Sequence, residues 1–413
     1  MSLAVLSTRL YDGLADHGVE RAMVLVEDGR ITAVDTDGNP VPEGYDVVDV
    51  GDATVLPGLI DTHAHLCLDG RPDAADVIAT TSAERLVLSM RHAALRALHA
   101  GITTIRDLGD HQLLSLRLRD WFATGPETGP ELVCAGTPVT ITGGHGHFLG
   151  LEADGELEVR KAVRTLTKRG VDVIKVMASG GRLTPRSNTS LPQYTTAELR
   201  AAVEEAHRHG LPLTVHAYPP EAIAQAVAAG VDGIEHCFFS VPGGLAPDPA
   251  VIDAIAERGI IVGPTLGLSP GWTVPPGFRT FLDVFEPVVE SMHKSGVLLV
   301  AGPDAGSLPG KPHDVLPHAV RTLAGLGLTN VEALRSATSL AARACGLEDR
   351  KGALRAGMDA DLIAVRGDPV ADIDALPDVC LVVRQGKVVR DDGRPGAAVQ
   401  NRHAPPSGDR AGG

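Results

Sequence analysis

Closely spaced cysteines are missing from this sequence. The five cysteines, Cys67, Cys134, Cys237, Cys345 and Cys380, lie far apart and form no Cys-x-x-Cys pair. A disulfide framework of the kind found in small secreted domains is therefore not expected. The first residues also lack the basic and apolar segments of a signal peptide. We predict free thiols and a cytoplasmic location.

Long apolar runs and an excess of positive charge are missing as well. No window approaches the ~18 consecutive apolar residues of a membrane-spanning helix. The formal net charge is −15, which disfavours nucleic acid or an anionic membrane as a partner. A small molecule is the expected partner. The 413 residues are enough for one large α/β barrel with an appendage.

Short apolar, β-branched runs alternate with helical segments between residues 54 and 345. Eight such runs are present, the count of a (β/α)8 barrel of the TIM type. A doubly wound open sheet is the alternative, but no Gly-x-Gly-x-x-Gly motif follows a strand. We therefore predict an α/β protein whose barrel spans residues 54–345.

The two ends of the chain have a different pattern. Residues 1–53 and 346–396 contain short strands without intervening helices, and we predict that they form one small β-sandwich domain beside the barrel. Residues 397–413 are polar and rich in proline and glycine, which predicts a disordered tail.

Candidate metal ligands follow the predicted strands of the barrel. His63 and His65 are separated by one residue, so a strand directs both side chains to the same face. A pair of surface histidines is the alternative for these two alone, but further ligand types lie at other strand ends. The six candidates are His63, His65, Lys175, His216, His236 and Asp304. Since barrel active sites lie at the carboxyl ends of the strands, this coincidence predicts a metal centre.

Lys175 lies in an otherwise apolar strand, Val173-Ile-Lys-Val-Met177. Burial makes an ammonium costly, so the pKa of such a lysine falls. One interpretation is an ion-paired core lysine. The other is a neutral amine that captures carbon dioxide as a carbamate, which would bridge two cations ~3.5–4 Å apart. Asp304 would then bind one metal and act as the base.

These residues and their neighbours resemble the binuclear metal branch of the amidohydrolase superfamily, in particular its imidazolonepropionase-like and Xaa-Pro dipeptidase (prolidase-like) group. The motifs that carry the resemblance are Leu56-Pro-Gly-Leu-Ile-Asp-Thr-His-Ala-His65, Thr142-Gly-Gly-His-Gly-His147, Val173-Ile-Lys-Val-Met-Ala-Ser-Gly-Gly181, Gly233-Ile-Glu-His236 and Gly302-Pro-Asp-Ala-Gly306. The resemblance covers nearly the whole chain, and it is more specific for the superfamily than for a substrate.

The resemblance implies a role for each candidate. His63, His65 and Asp304 would hold one divalent metal, His216 and His236 the other, and carboxylated Lys175 would bridge them. Zinc is the expected metal. A metal-bridging hydroxide would attack a carbonyl while Asp304 moves its proton to the leaving nitrogen. His145 matches the position that polarises the substrate carbonyl, although ordering of its loop is the alternative role.

Two positions depart from the pattern of the relatives. Tyr218 stands where many relatives have a second histidine, and its hydroxyl would either donate to a substrate oxygen or simply pack. Arg182 replaces a small aliphatic residue, and Arg186 follows in the same loop. Either guanidinium is a candidate clamp for a substrate carboxylate. Solvated loop arginines are the alternative.

We expect metal-dependent hydrolysis of an amide-type C–N bond in a small substrate that bears a carboxylate, such as an Xaa-Pro dipeptide or an N-acyl amino acid. A cyclic amide (imidazolone) hydrolase or a deaminase is an alternative, although deaminases usually carry a glutamate where Pro219 stands. A barrel repurposed for a lyase or isomerase step, or for assembly alone, is a further one. Because relatives often form symmetric assemblies, a homo-oligomer is expected.

Overall fold

The computed structural model describes residues 2–393, so the predicted tail 397–413 lies outside the described residues. The strands are β1 (Ser2–Leu10), β2 (Val19–Glu27), β3 (Arg30–Asp35), β4 (Asp46–Asp49), β5 (Ala53–Pro57), β6 (Leu59–Ala64), β7 (Ile102–Asp107), β8 (Glu131–Cys134), β9 (Val139–Thr140), β10 (Leu151–Glu152), β11 (Ile174–Met177), β12 (Leu213–Ala217), β13 (Gly233–His236), β14 (Ser240–Val241), β15 (Gly244–Leu245), β16 (Ile261–Gly263), β17 (Leu298–Leu299), β18 (Leu362–Arg366), β19 (Val379–Arg384) and β20 (Lys387–Asp391).

Helices fill most of the segments between the central strands. They are α1 (Ala74–Thr80), α2 (Ala83–His99), α3 (Leu114–Thr124), α4 (Gly155–Arg169), α5 (Thr196–Arg208), α6 (Pro220–Ala229), α7 (Pro249–Glu257), α8 (Pro276–Lys294), α9 (Leu316–Gly325), α10 (Asn330–Ser336) and α11 (Ser339–Ala344), with a 3₁₀ helix at Ile373–Ala375. Within residues 2–393, none of these helices combines the length and the apolar character that crossing a membrane requires.

Strands from both ends of the described chain form one eight-stranded sheet. Its hydrogen-bonded order is β20-β19-β18-β5-β1-β2-β3, and β4 pairs with β1. The junction is β5, which pairs antiparallel with β18 and parallel with β1. Apolar residues of this sheet, among them Val5, Val24, Leu362 and Leu381, bury a core of their own. A sandwich of two sheets is not confirmed, and the domain boundaries stay a prediction.

Eight parallel strands lie between the terminal segments, each at a predicted position: β6, β7, β8, β11, β12, β13, β16 and β17. They form two ladders, one of three strands (β6-β7-β8) and one of seven that also contains β9 and β10. Backbone hydrogen bonds cross both gaps, from Asp172 N to Cys134 O (2.9 Å) and from Thr62 N to Ala301 O (3.3 Å). The α/β class is confirmed, but the structure shows no closed barrel.

The gap next to β6 has a simple structural cause. The strand β17 contains only two residues, too few to form a ladder with β16 and another with β6. Contact with β6 is made instead by scattered backbone hydrogen bonds, such as that from Thr62 to Ala301, and by a parallel bridge between Ala64 and Ala305. Every residue of β6, β7, β11, β12 and β13 is buried, as expected for parallel strands covered on both faces. Their carboxyl ends share one rim.

A buried ionic cluster joins the terminal sheet to the parallel strands. Its members are Glu131 of β8, Arg350, Lys351, Asp359, Asp361 and Arg384. Lys351 Nζ lies 3.1 Å from Glu131 Oε2 and 3.2 Å from Asp359 Oδ2. Burial raises the pKa of Glu131, but its hydrogen bond with Arg350 and the charges of Lys351, Arg350 and Arg384 outweigh this and lower the pKa to about 2.

Glu131→Ala is expected to lower the free energy of unfolding by about 3–5 kcal/mol, because it removes a shared partner of the buried cations Lys351 and Arg384. Urea denaturation at neutral pH measures this loss. The folded pKa of about 2 lies below the ordinary 4.5, so the contribution is complete above pH 4.5 and is lost as the pH falls toward 2. The difference in the free energy of unfolding between wild type and variant should therefore become smaller in acid.

Glu127→Ala is the matched control, since the Arg91–Glu127 pair is partly exposed at the surface. Such pairs contribute about 0–1 kcal/mol. An equal, small effect of both substitutions would show that the buried cluster does not stabilise the fold.

Candidate metal centre

All six predicted ligands lie around one small cavity of about 40 Å³ at the carboxyl ends of the parallel strands. His63 belongs to β6, Lys175 to β11, His216 to β12 and His236 to β13. His65 follows β6, and Asp304 lies in the turn that follows β17. The parallel arrangement therefore gathers residues that are far apart in the sequence.

The donor atoms converge closely. Asp304 Oδ1 lies 3.5 Å from His63 Nε2 and 3.4 Å from His65 Nε2. One donor atom each of His63, His236 and Asp304 lie within 4.8 Å of one another. The ring centroids of His216 and His236 are 4.6 Å apart. Several imidazoles with one carboxylate form a donor set that suits zinc or a similar divalent ion, so the residues fit a metal centre.

The position of Asp304 depends on an unusual backbone conformation. Its φ is 63°, a left-handed value that is uncommon outside glycine and is found most often at functional sites. The N–H groups of Asp304 and Ala305 both donate to His63 O, at 2.9 and 3.2 Å. A Cβ atom at Gly302 would come within 2.7 Å of His63 N. This close backbone contact brings the carboxylate over the His63–His65 pair.

Outer hydrogen bonds hold the histidine rings. The Nδ1 atoms of His63, His65 and His236 lie 2.8 Å from Glu235 Oε2, 2.9 Å from Gly109 O and 2.9 Å from Thr265 Oγ1, respectively. Such bonds fix the tautomer and the orientation of the ring. Sequence reasoning did not assign these partners. Glu235 was detectable as an acidic residue within a buried strand, next to His236.

Burial dominates the electrostatics of the cavity. Lys175 is 1% exposed, and burial lowers its pKa to about 8, with Glu235 and Asp304 opposing the shift. Burial also lowers the pKa of His63, His216 and His236 well below 6.5. These imidazoles are therefore neutral at pH 7, the form that binds metal. Within residues 2–393, the Lys175 amine has no described hydrogen bond or ion pair.

His145 and Tyr218 line the same cavity. The His145 ring lies 4.5 Å from that of His216, and its Nδ1 atom lies 3.0 Å from Thr184 Oγ1. The Tyr218 ring lies 4.3 Å from His216 and 5.0 Å from His236. Burial raises the pKa of the Tyr218 hydroxyl, so it keeps its proton at neutral pH.

The structure separates the two candidate carboxylate clamps. Arg182 lines a neighbouring cavity of about 360 Å³, where its Cζ atom lies 4.8 Å from the centroid of the Phe281 ring. Arg186 lines neither cavity and is exposed. Its placement is consistent with a solvated loop arginine, and a role for Arg186 as a clamp stays a prediction.

The sequence pattern of the amidohydrolase family matches residues 54–389. The chain belongs to the amidohydrolase family. This amidohydrolase is 28% identical to ochratoxinase from Aspergillus niger over 381 residues, which cover 82% of this chain and 76% of that protein. It is 26% identical to imidazolonepropionase from Cupriavidus pinatubonensis, with 92% of each chain covered.

A solved structure of a Xaa-Pro dipeptidase with bound methionine has a TM-score of 0.83 and 26% identity to this amidohydrolase, covering 94% of this chain and 100% of that one. The predicted resemblance to the superfamily and to its imidazolonepropionase-like and prolidase-like members is therefore confirmed. The amidohydrolase is an enzyme that hydrolyses amide-type bonds.

Glu235→Gln in this amidohydrolase is expected to weaken metal binding by about 10–100-fold, the usual effect of losing an outer partner of a metal-binding histidine. The carboxylate both orients His63 and pairs with Arg106 at 3.0 Å. Titration with a competing chelator measures the affinity. Glu257→Gln, at the end of α7, is the exposed control. Unchanged affinity in Glu235→Gln would argue against His63 as a ligand.

Proposed function

We propose that this amidohydrolase uses two divalent metal ions, zinc by default, to hydrolyse the C–N bond of a small amide that bears a carboxylate. The observation that carries the proposal is the convergence of six ligand-type side chains on one cavity. An Xaa-Pro dipeptide or an N-acyl amino acid is the favoured substrate class, and the likeness to a Xaa-Pro dipeptidase supports it.

In this proposal His63, His65 and Asp304 would hold one ion, His216 and His236 would hold the second, and Lys175, as a carbamate, would be a ligand common to both. Bound divalent ions supply Lewis acidity and lower the pKa of a water molecule. A closed (β/α)8 barrel is part of the proposal, supported by the hydrogen bonds that cross both gaps between the ladders. The terminal strands are proposed to form the small β-sandwich.

Asp304 is the proposed proton carrier. Its side chain is 15% exposed and lies beside the His63 and His65 rings, so it can contact both a water and a substrate in the cavity. It takes a proton from the attacking water and delivers it to the leaving nitrogen, because an amine leaves far more easily once protonated.

His145 is the proposed donor to the carbonyl oxygen. Burial lowers its pKa to about 3, so the ring is neutral. Thr184 Oγ1 accepts the N–H of Gly146 at 2.8 Å, which leaves the threonine proton for His145 Nδ1. The ring proton of His145 then resides on Nε2 and is free for a substrate. Tyr218 supplies a second neutral donor beside it.

A cyclic amide is the second candidate substrate. The imidazolonepropionase relative, which covers 92% of this chain, favours it. Ring opening of a cyclic amide uses the same residues in the same roles, but the leaving nitrogen stays attached to the product.

Release of amines from a mixed library tests the proposal. The library contains Xaa-Pro dipeptides, other dipeptides and N-acyl amino acids, and Asp304→Asn serves as the blank. Cleavage of one class that is absent in the blank would support the proposal. If none of these classes is cleaved by protein that contains metal, the linear amide proposal is wrong, and cyclic amides become the next substrates to measure.

The proposal also places the enzyme in the cytoplasm as a homo-oligomer. All five cysteines are free and buried, which is consistent with a reducing compartment. The oligomeric state rests on the resemblance to relatives that form symmetric assemblies, and light scattering on the purified enzyme would measure it.

A further inference from the structure

A second cavity, of about 360 Å³, opens beside the metal centre. It shares Leu183, Tyr218, His236 and Asp304 with the small cavity that holds the six ligand-type residues. A group bound there would therefore lie against the side chains proposed to act on the substrate. Its lining indicates what kind of group fits.

Aromatic side chains are concentrated in the wall of this second cavity. The whole chain contains only 7 Phe, 4 Tyr and 2 Trp. Five of them line this one cavity: Tyr218, Phe238, Trp272, Phe278 and Phe281. We call these five residues the aromatic box. Aromatic rings prefer other rings as neighbours, in offset stacks or edge-to-face pairs, so the box favours an aromatic ligand over an aliphatic one.

Contacts with neighbouring aromatic rings hold the aromatic box in place. The Phe238 and Phe281 rings contact each other edge to face, with centroids 4.8 Å apart. Both rest on Phe285, which is fully buried, at centroid distances of 4.7 and 5.5 Å. A wall held in this way loses little conformational entropy when a ligand ring binds.

Lys311 brings a basic amine to the same cavity; burial lowers its pKa, and a neighbouring carboxylate favours the charged form. It is 5% exposed and lines the cavity, and its Nζ donates to Thr265 O at 2.7 Å. Among residues 2–393, no carboxylate lies within ion-pair distance of this amine. An ammonium has three donors, and buried cations are normally paired. A substrate carboxylate would supply the ion-pair partner that the Lys311 amine lacks.

The aromatic box, Lys311 and the metal centre are close together. Thr265 accepts from Lys311 through its carbonyl and contacts His236 Nδ1 through its hydroxyl, at 2.9 Å. One residue therefore connects the buried amine with a proposed metal ligand. Arg182, which lies over Phe281 at the exposed edge, adds positive charge that attracts an anionic ligand.

We propose that this second cavity is the subsite for the amino-acid portion of the substrate, and that the enzyme cleaves N-acylated aromatic amino acids. In such a substrate one Cα atom carries the scissile nitrogen, the carboxylate and the aromatic side chain. These would reach the metal centre, Lys311 and the aromatic box, respectively. The inference rests on the proposed function and narrows its substrate class, because a C-terminal proline would bring no aromatic ring to the box. Hydrolysis consumes one water and releases the acyl carboxylic acid and the free amino acid.

Three substrates test this in the wild-type enzyme: N-acetyl-L-phenylalanine, N-acetyl-L-alanine and N-acetyl-L-phenylalaninamide. We expect kcat/KM for the phenylalanine substrate to exceed that for the alanine substrate by about 10–100-fold, the effect of a filled apolar pocket. The carboxamide should be poorer than the carboxylate by about 10-fold or more, because it is neutral and cannot form an ion pair with the Lys311 ammonium.

Lys311→Gln separates recognition of the carboxylate from a purely structural role. It should raise KM for N-acetyl-L-phenylalanine. The ratio of kcat/KM for the carboxylate to kcat/KM for the carboxamide should therefore fall toward unity. A structural role would impair both substrates equally. Lys311→Arg should restore part of the preference. Lys294→Gln, at an exposed helix end, is the control.

Phe281→Ala tests the aromatic box in the same way. The preference for phenylalanine over alanine should shrink toward unity, while cleavage of the alanine substrate persists. Trp121→Ala removes an aromatic residue that is 49% exposed on α3, and it should leave the preference intact.

A binding measurement tests the subsite separately from catalysis. In a Trp121→Phe background, Trp272 is the remaining tryptophan, and N-acetyl-L-phenylalanine should change its fluorescence saturably in metal-free protein. Cleavage of amides without an aromatic preference and without saturable binding would overturn the inference and leave the proposed function standing. Saturable binding without cleavage of any amide would overturn the proposed function and the cleavage inferred from it, and would leave only the assignment of the cavity as a binding subsite. Absence of both binding and cleavage would overturn both.

Discussion

Replacing Lys175 by alanine is expected to remove most of the bound divalent metal and nearly all of the activity. Lys175 is buried among the proposed ligands, and its carbamate would be the bridge that the protein supplies between the ions. Elemental analysis should find about two ions per wild-type chain and fewer than one in the variant. The loss of metal affinity should exceed the value of about 10–100-fold that is usual when a metal-binding histidine loses its hydrogen-bond partner.

Two controls separate a carbamate from a simple lysine ligand. Lys161→Ala removes an exposed lysine of α4 and should change neither metal content nor activity. Metal-free wild type should take up metal incompletely in buffer without carbon dioxide, and bicarbonate should restore the uptake. Full occupancy and activity in Lys175→Ala would disprove the bridge, whereas uptake without carbon dioxide would disprove the carbamate alone.

Asp304→Asn is expected to lower kcat by about 10²–10⁴-fold, the contribution typical of a positioned acid or base. The amide has nearly the same shape as the carboxylate, and the side chain is partly exposed, so the fold should survive. Circular dichroism and the thermal midpoint check this. Asp253→Asn, on the exposed face of α7, is the matched control.

The same variant has a second informative readout. If Asp304→Asn keeps its metal but loses kcat, proton transfer and metal binding are separable functions of this residue. A variant that is nearly as fast as wild type would assign proton transfer to another residue that lines the cavity, with His145 and Tyr218 as the candidates.

The candidate metal ligands could be located from the sequence because their positions follow simple rules. Alternation along a strand puts His63 and His65 on one face, and parallel strands bring their carboxyl ends to one rim. Lys175 was conspicuous because a charged residue interrupts an apolar strand. Each of these signals is contained within a few consecutive residues, so no knowledge of long-range contacts was needed.

The second cavity could not be found in this way. The aromatic box and Lys311 come from segments that follow four different strands, and several lie in loops without periodicity. A phenylalanine such as Phe238 has the same appearance in the sequence whether it fills a core or lines a cavity. The gap between β17 and β6 was likewise not predicted, because it depends on β17 pairing over only two residues.

The pairing of β5 with β18 determines the order in which the protein can be completed during synthesis. Ala53 is translated early, but its partner Arg366 leaves the ribosome only after all the parallel strands. Until then one edge of β5 is an unpaired template, open to incorrect pairing with other nascent chains. A polypeptide that stops before Leu362 would keep that edge permanently. Translation must therefore continue through β18 before this edge of β5 is paired.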